Sequence, residues 1–134
     1  MNIGHISELT GVTAKTIRYY ESIGLIPEPP RRASGYRDYG DTDVATLRFV
    51  SKARKLGFSL KDVTQLLGLW QDRNRSSAEV KALTARHITE IEQRIDELEA
   101  VRRTLLDLSR RCHGDERPDC PIIDDLAGRH RSGN

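Results

Sequence analysis

The chain has 134 residues, of which 31% are charged and only 5% aromatic. This length allows one domain, or one small domain with an extended element, and the composition favours long solvated helices over a large core. The formal net charge of +2 is unevenly spread, because residues 1–75 carry 12 Lys and Arg against 8 Asp and Glu, and residues 76–134 carry 10 against 12. A positive first half suits a polyanion such as DNA.

Several functional classes are disfavoured by what the sequence lacks. No apolar run is long enough to span a bilayer, and the first five residues lack the basic-then-apolar order of a signal peptide. We therefore expect a cytoplasmic protein without a membrane partner. No nucleophile–base pair, phosphate loop or paired carboxylate site stands out, so an enzyme is not expected.

The first predicted elements form a helix-turn-helix. A short helix over residues 3–9 ends at Thr10 and Gly11, and Thr13 is a good N-cap for a second helix that runs to about Ser22. The second helix has two faces. Its inward residues are Val12, Ile17 and Tyr20, and its outward residues are Lys15, Arg18 and Tyr19.

A hairpin and two helices are predicted next. Residues 31–40 contain the turn pair Ser34-Gly35 and the strand formers Tyr36 and Tyr39. Asp41 to Asp43 offers caps for a helix that runs to about Leu56, where Gly57 breaks the pattern. Ser59 caps a further apolar stripe that ends at Trp70.

A long helix is predicted from a capping box at Ser76 and Glu79 to about Arg111, because this stretch has neither Pro nor Gly. Its apolar positions alternate at spacings of three and four, as in a coiled-coil seam. They are Leu83, His87, Ile91, Ile95, Leu98, Val101, Leu105 and Leu108. The chain offers little else to cover this stripe, so we expect a two-fold homodimer.

The only two cysteines, Cys112 and Cys120, flank a loop with seven residues between them. Reduced thiols in the cytoplasm are expected to be metal ligands or redox groups. Two thiolates suffice for a soft monovalent ion, namely Cu(I), Ag(I) or Au(I), whereas zinc usually takes four ligands. Cys120 precedes Pro121 at the predicted start of a short helix, which should lower its thiol pKa.

Several motifs follow one another in the first half of the chain. They occupy residues 6–13, 16–21, 24–26, 35–37 with Tyr39, and 54–60. Together they resemble the DNA-binding domain of the MerR family of transcription regulators. The resemblance implies a mainly α fold, with a winged helix-turn-helix, a second wing made of a helix pair, a long antiparallel coiled-coil dimerisation helix and a C-terminal metal-binding loop.

This resemblance implies DNA contacts from the second helix and the wings. The expected contact residues are Thr13, Lys15, Thr16, Arg18, Tyr19, Arg31, Tyr36, Arg37 and Arg54. It also implies that the regulator sits at promoters with an overlong spacer, where the effector-bound form distorts the DNA so that RNA polymerase can use it.

The second half is similar to the copper-efflux, CueR-like branch of that family. The similarity includes Cys112, residues 114–115, residues 119–123 and Leu126. Divalent sensors of the family carry a cysteine at the start of the dimerisation helix, where this chain has Ser77. The resemblance therefore implies that Ser77 hydrogen-bonds the metal loop and keeps a third ligand away from the metal, and that Lys81 offsets the negative charge of the thiolate pair. The alternatives are that Ser77 caps the helix and that Lys81 is solvated.

Two other regulators remain as alternatives. Cys112 and Cys120 could form a dithiol redox switch, or the loop could sense a divalent metal, although the missing cysteine at Ser77 disfavours the latter. A drug sensor is disfavoured because no effector domain follows the long helix. The predicted domains are residues 1–75 for DNA binding, 76–111 for dimerisation, 112–127 for the metal loop and short helix, and 128–134 as a disordered tail.

Overall fold

The computed structural model describes residues 1–33 and 35–128. Ser34 of the predicted turn, and residues 129–134 of the predicted tail, lie outside the described residues. The described residues form six helices: α1 (Ile3–Thr10), α2 (Ala14–Ser22), α3 (Asp41–Lys55), α4 (Leu60–Gln71), α5 (Ser77–Arg111) and α6 (Pro121–Leu126). Within this part of the chain, no helix is both long and apolar enough to cross a membrane.

Local capping chemistry sets the limits of the first helices. The Thr13 hydroxyl oxygen accepts a hydrogen bond from the Thr16 N–H at 3.2 Å, so α2 begins where the sequence predicts. Gly11 closes α1 with a φ of 74°, a left-handed conformation that glycine adopts without a side-chain clash. Ser59 accepts a hydrogen bond from the Asp62 N–H at 3.1 Å and starts α4.

The start of α3 differs from the prediction. The N-cap is Gly40 rather than Asp41 or Thr42, and the Asp43 carboxylate accepts a hydrogen bond from the Gly40 N–H at 2.9 Å. Asp43 therefore acts from the third helical position and reaches back to the cap. Its carboxylate also lies in the first turn, where the helix dipole stabilises a negative charge.

The predicted hairpin is present only in a short form. Arg31 and Arg37 form one isolated antiparallel bridge, and no strand is found in the described residues. The Arg32 N–H donates to the Tyr36 carbonyl at 2.7 Å, and the Asp38 N–H donates to the Pro30 carbonyl at 2.8 Å. Pro29 and Pro30 lack an N–H, so the first arm has no donor there to continue the pairing as a strand. We call residues 31–33 and 35–39 the wing.

The chain divides into two compact units, Met1–Thr84 and Ala85–Asn134, with the division inside α5. The first unit has one apolar core. Its fully buried side chains are Ile6, Ile17, Leu47, Val50, Val63 and Leu83. Phe49 of α3 stacks on Trp70 of α4, with ring centroids 4.6 Å apart. The four-part domain division predicted from the sequence stays a prediction.

The second unit contains most of α5, the cysteine loop and α6. The predicted long helix is confirmed, since α5 has 35 residues. The stripe on its surface is mostly exposed in the single chain, because Ile95, Leu98, Val101 and Leu105 each keep more than half of their surface accessible. At its end, Leu108 is buried.

Candidate metal site and nucleic-acid interface

The two cysteines lie close together although seven residues separate them. Helix α5 ends just before Cys112, and Cys120 is the N-cap of α6. Their Sγ atoms are 3.7 Å apart, both side chains are half-buried, and both thiols are free. A disulfide would need the sulfurs at about 2.05 Å. The loop therefore presents two separate thiols at one place.

This pair fits a thiophilic metal ion. A thiolate–metal bond to zinc is about 2.3 Å long, so one ion can bond both sulfurs as long as they are no more than about 4.6 Å apart. The observed separation of 3.7 Å lies inside that limit. Among residues 1–33 and 35–128, no group of three or more His, Cys, Asp or Glu side chains is arranged to hold a metal ion.

The surroundings of Cys120 lower the pKa of its thiol. The backbone of Ile123 is the largest cause that lowers the pKa of Cys120, and the Cys112 thiol and the backbone of Ile122 lower it further. Desolvation and the Asp124 carboxylate oppose this shift. The lowered pKa predicted from the position of Cys120 before α6 is confirmed, and its main cause is the first backbone N–H groups of that helix.

A side-chain pair holds part of the loop between the cysteines. Arg117 donates its backbone N–H to Asp115 at 2.9 Å, and its Nε lies 3.1 and 2.9 Å from the two carboxylate oxygens of Asp115. Gly114 precedes this pair with a φ of 68°. Gly114, Asp115 and Arg117 therefore define the turn of this loop.

The predicted base readers share one exposed side of α2. Lys15, Arg18 and Tyr19 are all exposed, whereas Ile17 and Tyr20 are buried in the core. Thr13 and Thr16 lie at the start of the same helix, where the Thr13 hydroxyl donates to the Thr16 hydroxyl at 2.9 Å. The helix therefore keeps a basic and aromatic face free for a ligand outside the unit.

The residues of the wings that are predicted to contact phosphate differ in their exposure and in their hydrogen-bond partners. Tyr36 is 72% exposed at the tip of the wing. Arg31 donates to the Gly35 carbonyl at 3.2 Å and pairs with Glu28 at 3.1 Å. Arg54 is exposed, and its guanidinium donates to the Phe58 carbonyl at 2.7 Å after α3. Both arginines are thus positioned by backbone carbonyls near their own turns.

Arg37 is placed differently from the other predicted contacts. Its Nε lies 3.3 Å from Oε1 of Glu21, and its Nη2 lies 3.6 Å from Glu28. The Glu21 side chain is only 4% exposed and also accepts a hydrogen bond from the Tyr39 hydroxyl at 3.0 Å. Sequence reasoning gave Glu21 no role, although it is the last residue of the motif over residues 16–21. The DNA contact of Arg37 stays a prediction.

Ser77 and Lys81 lie in the first turns of α5 and are exposed. They belong to the first unit, and the cysteines belong to the second. The Ser76 hydroxyl, not that of Ser77, accepts a hydrogen bond from the Ala78 N–H at 3.1 Å and caps the helix. The roles predicted for Ser77 and Lys81 near the metal stay predictions.

The place of His87 in the predicted seam of the long helix predicts a packed side chain rather than a metal ligand. It is buried, 9% exposed, in α5, and its Nδ1 lies 3.9 Å from Glu90 one turn further along. The packed position is confirmed.

Two family models match the chain. The model described as MerR HTH family regulatory protein covers residues 1–69, and the model described as MerR, DNA binding covers residues 44–108. Together they span the helix-turn-helix, the wing, the helix pair and most of α5.

Curated relatives match over nearly the whole chain. Heavy metal-dependent transcription regulator 2 of Rhizobium meliloti strain 1021 is 54% identical over 127 residues, which cover 95% of this chain and 86% of the relative. The HTH-type transcriptional regulator CueR of Escherichia coli O6:H1 is 43% identical over 135 residues, which cover 99% of this chain and 100% of the relative.

A solved structure matches as well. The transcription regulator PbrR691 from Ralstonia metallidurans CH34, in complex with lead(II), superposes with a TM-score of 0.81 at 33% identity, covering 94% of this chain and 98% of that one. These relatives are transcription regulators rather than enzymes. With a free basic face on α2, a wing beside it and a long helix after the second helix pair, the chain belongs to the MerR family of helix-turn-helix transcription regulators.

Proposed function

We propose that this regulator is a cytoplasmic, metal-responsive activator that binds promoter DNA as a homodimer and switches on copper efflux and detoxification genes. Its effector is Cu(I), or Ag(I) or Au(I), held by Cys112 and Cys120. The observation that carries the proposal is the pair of free thiols 3.7 Å apart at the two ends of one loop. Soft thiolate ligands favour Cu(I) and related ions.

The relatives support a metal signal in general terms. One is named a heavy metal-dependent regulator, and PbrR691 was solved with lead(II). The assignment of copper as the effector rests on the two thiol ligands and on the resemblance to the copper-efflux branch. Under this proposal the partner subunit's Ser77 withholds a third thiolate, and Lys81 lowers the electrostatic cost of two thiolates at one ion.

The DNA-binding role rests on the first unit. We assign base and phosphate contacts to Thr13, Lys15, Thr16, Arg18 and Tyr19 of the helix-turn-helix. Phosphate contacts come from the wings, through Arg31, Tyr36, Arg37 and Arg54. A two-fold dimer would present two copies of α2 to a palindromic site, with residues 76–111 as the dimerisation element.

The link between metal and transcription is a difference in binding free energy. The ion must bind the DNA-distorting form of the dimer more tightly than the repressing form, since only a differential affinity can shift the two populations. A bound ion would supply one bond to each thiolate. In the chain itself, Cys112 and Cys120 mark the two ends of the segment that joins α5 to α6, so such bonds fix the start of α6 against the end of α5.

In vitro transcription tests this function. A DNA site selected from a random library by the protein is placed in a promoter with a lengthened spacer, and transcripts are measured with RNA polymerase. Cu(I) should raise the transcript about tenfold with the wild-type protein, within the usual range of coupling between sites, and should have no effect with Cys112→Ser. Activation by diamide and not by Cu(I) would establish the redox switch, and activation by Zn(II) alone would establish a divalent sensor.

A further inference from the structure

Glu21 is a charged side chain in an interior position. It closes the last turn of α2, and its side chain is 4% exposed. Burial of a carboxylate is costly unless hydrogen bonds and an opposite charge offset the lost hydration. The partners found for it among the described residues come from the wing, which is distant in sequence.

Two wing residues hold the Glu21 carboxylate. The Tyr39 hydroxyl lies 3.0 Å from Oε1 and 3.2 Å from Oε2, and the Nε of Arg37 lies 3.3 Å from Oε1. Tyr39 is 2% exposed, and burial together with the hydrogen bond to Glu21 raises the pKa of its hydroxyl. The hydroxyl therefore stays protonated and remains a donor to Glu21.

The other contacts of these wing residues restrict the wing further. The backbone N–H of Tyr39 donates to the Met1 carbonyl at 2.8 Å, and Nη2 of Arg37 lies 3.6 Å from Glu28. Glu28 is also paired with Arg31 at 3.1 Å. One carboxylate of α2 is thus connected to two side chains of the wing, and the wing is also connected to Glu28 and to Met1.

We infer that Glu21 is a positioning residue for DNA recognition: through Tyr39 and Arg37 it fixes the orientation of α2 relative to the wing, without touching DNA itself. A recognition helix and a wing that bind one duplex must meet it in a single relative orientation, so loss of this connection costs binding free energy. The inference rests on the proposed binding of DNA by α2 and the wing.

The direction in which Glu21→Gln changes DNA affinity distinguishes a positioning role from a purely electrostatic effect. Glu21→Gln removes a negative charge from a DNA-binding unit, and general electrostatics alone predicts tighter binding to a polyanion. The positioning role predicts weaker binding, because a neutral amide holds Arg37 and the Tyr39 hydroxyl less strongly than a carboxylate does. Glu8→Gln is the matched control, since it removes the same charge from an exposed position of α1 in the same unit.

The experiment measures the affinity of the full-length variants for a duplex selected by the wild-type protein and for a scrambled duplex of the same composition. We expect Glu21→Gln to weaken binding to the selected duplex about tenfold, the scale of one hydrogen bond to a charged group. Binding to the scrambled duplex should change much less, because non-specific binding rests on phosphate charge. Tyr39→Phe, which removes only the hydroxyl, should act in the same direction.

Two further readouts complete the test. The slope of binding against salt should change by no more than one phosphate contact in Glu21→Gln, because Glu21 itself releases no counterions and holds one proposed phosphate contact, Arg37. If Glu21→Gln and Tyr39→Phe bind the selected duplex as tightly as Glu8→Gln does, the inference is overturned. Binding of the selected duplex by the wild-type protein tests the proposed function, and the ranking of the variants tests the inference.

Discussion

At the scale of single residues, Cys112 and Cys120 share a site but differ in their surroundings. Cys112 follows the last turn of α5, whereas Cys120 is the N-cap residue of α6, where the backbone of Ile123 and Ile122 lowers the pKa of its thiol. A thiolate is the form that binds metal and attacks oxidants. The position of Cys120 at the start of α6 therefore favours the thiolate form of this residue.

This difference predicts the reactivity of Cys120. In the variant Cys112→Ser, the pH midpoint of alkylation by iodoacetamide should lie below the ordinary value for a cysteine, because the backbone of Ile123 and Ile122 still stabilises the thiolate. The midpoint is measured by mass spectrometry across a pH series. An unfolded sample in urea gives the reference value, and a midpoint equal to that reference would refute the role of α6.

A second prediction concerns the choice between monovalent and divalent ions. Ser77→Cys should raise the affinity for Zn(II) by about tenfold or more, because a third thiolate brings the site closer to the four ligands that zinc prefers. Ala78→Cys is the control, since it adds the same thiol one position along the exposed start of α5. Competition with a chromophoric chelator measures both variants. Equal gains in the two variants would exclude a special position for Ser77.

At the scale of elements, short-range chemistry explains most of the helix limits. Thr13, Ser59 and Gly57 act within a few residues of the helix ends they define, so the sequence predicts them. The cap at Gly40 was missed because the decisive acceptor of the Gly40 N–H is the Asp43 carboxylate, three residues along. The role of Glu21 could not be predicted, because it depends on Tyr39 and Arg37 meeting it across 16 or more residues.

Two capping residues give a prediction that separates stability from DNA binding. Thr13→Ala and Ser59→Ala should each lower the free energy of unfolding by about 1 kcal/mol, because each removes one acceptor for a helical N–H. Only Thr13→Ala should also weaken DNA binding by more than its loss of stability explains, since Thr13 starts the proposed recognition helix. Urea unfolding and duplex titration measure the two effects. Equal loss of DNA affinity in both variants would contradict the assignment of α2.

At the scale of the whole molecule, the apolar face of α5 is too exposed for an isolated chain. Ile95 is 58% exposed and Leu98 is 62% exposed in the single chain. The spacing of this stripe was visible in the sequence, but which copy or partner covers it depends on contacts beyond one chain. A second copy of the same helix is the simplest partner to bury this face, since a two-fold axis pairs identical stripes.

A charge in this stripe should therefore dissociate the homodimer. Leu98→Glu should raise the dimer dissociation constant roughly 100-fold, because burying an unpaired carboxylate in an apolar seam costs several kcal/mol. DNA affinity should fall with it. Sedimentation velocity across a concentration series measures the change, and Gln93→Glu serves as the control on the polar face of α5. A Leu98→Glu protein that sediments like wild type would rule out this face as the dimer interface.

The central claim is that Cys112 and Cys120 together bind one Cu(I) per chain. An anaerobic Cu(I) titration of the reduced full-length protein against a competing chelator tests it most directly, with Cys112→Ser and Cys120→Ser in parallel. Our account predicts one tightly held Cu(I) per chain in the wild-type protein and its loss in both variants. Weak or absent Cu(I) binding by the wild-type protein, or binding that survives the loss of either thiol, would contradict the two-thiolate site.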